Sequence, residues 1–159
     1  MSVQLTYGIT PAVAIPGMLA EPFSQRQVDS FIAEDTILAG QAVERGTDPA
    51  SQVLQLTAAV AVYGVAISAL QDNEVPEGGS ITYAAKDSTP IITRGRIWVL
   101  SGGAVTVGAE VTPGVVANSG KWTAGANLLS PVRAFARSAA GGVDELLLIE
   151  LAGPQGAVA

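Results

Sequence analysis

The chain has 159 residues, of which 48% are apolar, 5% aromatic and only 14% charged, with a formal net charge of −6 and neither histidine nor cysteine. A length of this kind predicts one domain, or one domain with an extended arm, that can bury roughly 70% of its unfolded surface without staples. Two lysines and six scattered arginines on a net acidic chain exclude general affinity for nucleic acid or an anionic membrane, while the missing His and Cys exclude Ser-His-Asp and Cys-His nucleophiles, His or Cys zinc sites, thiol redox and disulfides.

The start, "MSVQLTYG", lacks a basic region followed by an apolar one, so no secretory signal is expected. Residues 1–23 carry Pro11, Pro16 and Pro22, which disfavour a regular helix or a central strand. The same segment holds Val13, Ile15, Met18, Leu19 and Phe23, too apolar for a solvated linker. It reads as an extended arm lying along a surface, its own or a neighbour's, ahead of a single β domain over 24–159.

After Ser24, the spacing of Val28, Phe31 and Ile32 admits a helical turn, but the β-branched, glycine-punctuated remainder reads as strand. Strands are predicted at 30–34, 36–39, 41–45, 52–57, 61–68, 80–84, 90–100, 103–107, 109–112, 115–117, 131–137 and 145–151. Between them lie "RGTDPAS", "QDNEVPEGG", "AKDST", "SGG", "TPG", "NSGKW" and "SAAGGVD", with the Gly, Pro, Asn and Asp content of turns. The longest weakly polar run, residues 56–70, is too short to span a bilayer and contains Gly, Ser and Thr. Many short strands and no long amphipathic helix predict an all-β fold, a β-barrel or jelly-roll-like sandwich of short antiparallel strands with an extended N-terminal arm.

Along 94–100, alternation sets Ile97 and Val99 on a core face and Arg94, Arg96, Trp98 and Leu100 on the other, which reads either as an ordinary solvated face or, because Arg and Trp suit interface anchors, as a partner-facing one. "ILAGQAVERG" at 37–46 and "VTVGAEVTPG" at 105–114 share the pattern [IV]-x-x-G-x-x-V-x-x-G, two strand and glycine-turn units too short to establish a duplicated domain by themselves. "ELLLIEL" at 145–151 is apolar at every position between its acids, so as a strand it must be covered on both faces.

Chemistry is scarce. Glu34–Asp35 and Asp144–Glu145 are neighbours whose side chains diverge in a strand, and they read as solvated turn acids. "DNEVPEGGS" lacks the spacing of a calcium loop. "GVVANSGKW" has five residues between its glycines and Trp122 where a phosphate loop needs Ser or Thr. Trp98 and Trp122 lack the interleaved aromatics of a stacking groove and read as structural. No catalytic residue, metal or cofactor is implied. A charged share well under the usual quarter of a soluble domain predicts that a partner covers some of the surface.

The order of the pieces, "PAVAIPGMLAE", "AGQAVERGTD", "VYGVAIS", "TRGRIWVLSGGAVTVGAEV" and "NSGKW", resembles the cement (decoration) proteins of tailed bacteriophage heads. The resemblance runs through Pro16-Gly17, Gly40 to Gly46, Gly64-Val65-Ala66 and Gly95 to Val111, over about residues 11–125; Glu110 stands where an Asp is usual. It implies a non-enzymatic β protein on the outer surface of the virion capsid, made in the host cytoplasm. Such a protein binds across junctions between major capsid protein subunits, resists the pressure of packaged DNA and associates as a homotrimer, with a dimer as the second state. The expected contact residues are Val13, Ile15, Met18, Leu19 and Phe23, then Arg94, Arg96 and Trp98. The competing reading is a glycan- or receptor-binding module of a tail or baseplate, using Trp98 or Trp122.

Overall fold

The computed structural model describes residues 14–20, 26–68, 81–126 and 130–154. Among them the regular structure is all β: β1 (Gln27–Ala33), β2 (Ile37–Leu38), β3 (Ala42–Arg45), β4 (Gln52–Gln55), β5 (Gly64–Ala66), β6 (Thr82–Tyr83), β7 (Ser88–Gly102), β8 (Glu110–Pro113), β9 (Lys121–Ala124), β10 (Val132–Ala136) and β11 (Val143–Pro154). Short 3-10 turns occur at Ala59–Ala61 and Val116–Asn118.

The sheet closes on itself twice. The order β1-β4-β3-β5-β7 returns through a β1–β7 pairing, and the order β7-β11-β10-β8-β9 returns through a β7–β9 pairing. Two five-stranded barrels thus share the 15-residue strand β7. Closure removes most of the free edges that so apolar a sheet would otherwise expose. The strand "ELLLIEL" lies inside β11, flanked by β7 and β10, with Leu147, Ile149 and Leu151 at 0–1% exposure.

The two barrels have the same wiring. In each, the first strand pairs antiparallel with the last (β1 with β7; β7 with β11) and parallel with a middle strand (β1 with β4; β7 with β9). In each, a four-residue strand pairs antiparallel on both sides: Val43 opposes Gln55 and Gly64, and Val111 opposes Ala124 and Ala134. The β2–β6 pair of the first barrel corresponds to a single Val105–Ala140 bridge in the second. The decapeptide echo is therefore the visible fragment of a whole-barrel duplication.

Interior positions correspond as well. Phe31, Ala33, Ile37, Val43, Val53, Ala66, Tyr83 and Ile91 fill the first barrel. Their counterparts by pairing register are Val99, Ser101, Val105, Val111, Trp122, Ala136, Ala140 and Ile149, and every one is buried. Residue identity has drifted while burial has not, because a barrel interior constrains summed volume more than any single side chain.

Neighbouring residues join the barrels. Val43, Ala66 and Ile91 point into the first barrel, whereas Ala42, Val65 and Ile92, next along the same strands, belong to the cluster that contains the second barrel's interior. Strands β3, β5 and β7 are thus apolar on both faces where the barrels meet, which is why this part of the sequence lacks alternation. Gly95 sits at the changeover inside β7 with φ +128°, and a Cβ there would approach Ile92 Cδ1 to 3.0 Å and Arg26 Cβ to 3.2 Å. A glycine bend in mid-strand lets one strand serve two barrels.

Three expectations are corrected. Residues 103–107 form no strand beyond the Val105 bridge, because Val107 and Gly108 make a turn. Residues 115–117 enter the second 3-10 turn, with Val116 at φ +50°. Lys121–Ala124, half of it read as the turn "NSGKW", is strand β9 with Trp122 buried inside the barrel.

Candidate contact surface

Of the segment expected to form an arm, the described residues 14–20 lie against the rest of the chain. Gly17 donates its N–H to Trp98 O at 2.7 Å, Trp98 donates to Met18 O at 2.9 Å, and Ala20 donates to Arg96 O at 3.1 Å. Leu19 bridges antiparallel to Ile97 and packs on the larger core cluster. A turn closed by Met18 N–H to Ile15 O sets the direction of entry, and Ser68 N–H donates to Gly17 O on the other side. Ala14 is buried, whereas Met18 is 39% exposed.

Ile15, Met18, Leu19, Arg96 and Trp98 are therefore brought together on one side of β7. Leu19 spends its apolar surface on its own chain, while Met18 and the half-buried Trp98 stay open to a neighbour. Arg94 is exposed two residues away along β7, its side chain passing Gly153. Val13 and Phe23 lie outside the described residues.

The guanidinium expected to face a partner is committed within the sheet. Arg96 Nε donates to Glu150 Oε2 at 2.8 Å, directly across the β7–β11 pair, and Arg137 Nε donates to the same oxygen at 2.9 Å. The two guanidinium groups, Arg137 first, hold the Glu150 carboxyl below the usual carboxylate range. Glu110, the departure from the usual Asp, has a use for its extra methylene: it accepts from Arg133 Nε at 2.8 Å and Nη2 at 2.7 Å across the β8–β10 pair.

Other carboxylates staple turns. Glu34 accepts from the Thr47 N–H and hydroxyl, which lowers its pKa, and Glu44 clasps Thr57 in the same way. Asp48 accepts from Ala50 N–H and Ser51 Oγ, and Asp35 Oδ1 accepts from Gln55 N–H. Asp144 pairs with Lys121, and Glu145 accepts from Gly141 N–H. Bonds of this kind hold loops in shape and converge on no common point where a substrate would sit.

Trp122, one of the two residues offered for stacking on a sugar, is 1% exposed and cannot present a ring face. Sequence reasoning missed Val107 and Val143, each more than half exposed, and the Val28–Ile32 row of β1. The signal for Val107 was a β-branched residue beside Gly108 in a turn, where polar residues are the norm.

Comparison with known proteins agrees with this architecture. No curated protein matches the sequence. A solved structure described as the capsid of Myoviridae phage XM1 superposes with a TM-score of 0.65 at 15% identity, covering 94% of this chain and 97% of that one, which establishes a shared fold. The family model described as structural cement protein (E217 gp24/Pam3 gp6) matches residues 3–151, past residue 125 and into β11. The chain belongs to this phage structural cement protein family, a structural class, and its place is on the virion capsid.

Proposed function

We propose that this chain binds the outside of the head across junctions between major capsid protein subunits and stabilises the shell against the pressure of packaged DNA. The observation that carries the reading is the fusion of two barrels through one unbroken strand: a single rigid chain presents two bodies side by side. A rigid two-body clamp loses little entropy when its second half engages a second subunit, so separation of the subunits must break both contacts at once. Binding the assembled shell and not its separated parts then raises the free energy of disassembly by mass action.

Residues 1–23 act as an arm and 24–159 as the body. Met18 and Trp98, with Arg94 beside them, supply the contact, supported by Ile15, Leu19, Arg96 and the arm residues Val13 and Phe23. The chain works as a homotrimer, a dimer being the second state. An image of decorated heads tests the placement: density for both barrels over a boundary between capsid subunits is expected, and density confined to the middle of one subunit overturns it.

A further inference from the structure

The duplication makes two rows of residues equivalent. Across the first barrel, on the face turned out of it, Ala42 pairs with Val65, Val65 with Ile92 and Ile92 with Val28. Across the second, Glu110 pairs with Phe135, Phe135 with Glu150 and Glu150 with Arg96. The strands correspond one to one, so each residue of one row is the counterpart of a residue in the other. Their surroundings differ. Ala42, Val65 and Ile92 are 0% exposed within the cluster that holds the second barrel's interior, so the first row is where barrel meets barrel. The second row stays at the surface, its charged side chains 14–33% exposed.

The residues that stand in place of Ala, Val, Ile and Val are tied to one another and to their flanks. Glu110 accepts from Arg133 Nε and Nη2, and the Arg133 guanidinium lies 5.3 Å over the Phe135 ring. Glu150 accepts from Arg96 and Arg137 through one oxygen. Both carboxylates are thus neutralised, and the one aromatic ring of the row is roofed by a cation. A body docking here as the second barrel docks on the first row would strip the remaining water from five charged groups, a cost that an apolar contact of this size does not offset. A polar outer face on the terminal repeat is how an array of repeats ends.

We propose that the row Glu110–Phe135–Glu150–Arg96, with Arg133 and Arg137 beside it, is a stop: it keeps a barrel of a second copy from docking on the second barrel in the way the second barrel docks on the first. The chain then remains a unit of two barrels, and any self-association uses other surfaces. Without the stop, the contact between barrels could repeat from copy to copy. Such a contact is head-to-tail and, where its rotation does not close a ring, it grows into a filament.

Returning the row to the first barrel's residues tests this on the purified full chain. The fourfold variant Glu110→Ala, Phe135→Val, Glu150→Ile and Arg96→Val is compared with the parent by light scattering and sedimentation. Its average mass is expected to exceed the parent's by at least about twofold and to keep rising with concentration, as an open contact requires. A control with as many apolar additions at exposed sites off the row, Gln27→Val, Ser88→Val, Thr106→Val and Thr123→Val, is expected to keep the parent's mass. The exchanged pair Glu110→Arg with Arg133→Glu leaves the row charged and is expected to keep it too. A folded fourfold variant with the parent's mass overturns the stop, and so does equal growth of the control. If the fourfold variant loses its circular dichroism signal, Arg96→Val with Glu150→Ile decides by the same readout. Loss of the fold there as well would assign the ion pairs to holding the second barrel together and overturn the stop.

Discussion

Gly40 and Gly108 are the same residue of two barrels. Each has a positive φ, +88° and +83°, and each donates its N–H at 2.8 Å to an alanine carbonyl, Ala66 and Ala136. Their surroundings differ: a Cβ on Gly40 would meet Pro16 Cβ at 3.0 Å, whereas nothing lies within 4 Å of one on Gly108. Gly108→Ala is expected to cost only the left-handed backbone penalty, about 1–2 kcal/mol. Gly40→Ala adds a clash with the arm and is expected to cost more. Urea unfolding of the two variants checks the order, and equal losses would show that the arm does not press on Gly40.

Trp122 fills the second barrel where Val53 fills the first, and its Nε1–H has no hydrogen-bond partner among the described residues. An orphaned buried donor costs about 1–3 kcal/mol. Trp122→Phe sheds that cost along with some buried area, so its stability is expected within about 1 kcal/mol of the parent. Trp122→Ala leaves a cavity and is expected to lose about 3–5 kcal/mol. Calorimetry on the pair checks this, and a large loss in the Phe variant would reveal a partner for the indole.

Val116 adopts φ +50° at an exposed position, an unfavourable state for a β-branched residue, and its N–H is held by Leu56 O at 2.7 Å. Val116→Gly is expected to raise stability by about 1 kcal/mol by relieving this strain. A lower melting temperature would mean that the valine side chain makes contacts that outweigh its backbone.

Glu150 links pH to stability. Its carboxyl is held below its ordinary value by Arg137 and Arg96, so the folded state binds its proton less readily than the unfolded chain. The stabilisation is fully present above the unfolded carboxylate value of about 4.3 and is lost as pH falls through the lower folded value. Denaturant midpoints measured from pH 6 to pH 3 are expected to fall at the acid end, and Glu150→Gln is expected to flatten that fall. An unchanged slope would remove the two-arginine clasp as its source.

What the sequence made legible follows from how strongly each segment is constrained. Ile97 and Val99 alternate with Arg96 and Trp98 on a strand with one face inside a barrel, so β7 could be read directly. Lys121–Ala124 could not, because Ser119-Gly120 precedes it and its one inward residue of note, Trp122, has no apolar neighbour in sequence to set a period. Val115 and Val116 looked like strand because β-branched residues usually mark one; here Val116 opens a 3-10 turn and Val115 is only the extended residue before it. The duplication left only ten residues of visible echo, since counterparts such as Phe31 and Val99, or Ala33 and Ser101, preserve burial but not identity. For the contact surface, alternation placed Arg96 and Trp98 together on the face of the strand away from Ile97 and Val99, which suits either solvent or a partner. The Glu150 clasp and the pairing with Met18 depend on strand neighbours 54 and 80 positions away, and no local pattern reports those.

The central claim is that this cement chain strengthens the head. Heads stripped of it, heads carrying it and stripped heads with purified chain added back are heated and subjected to osmotic shock while DNA release is followed. Stripped heads are expected to release DNA at lower temperature and milder shock, with full recovery on adding the chain back and little from a chain lacking the Met18 and Trp98 side chains; equal resistance of stripped and decorated heads would contradict the claim.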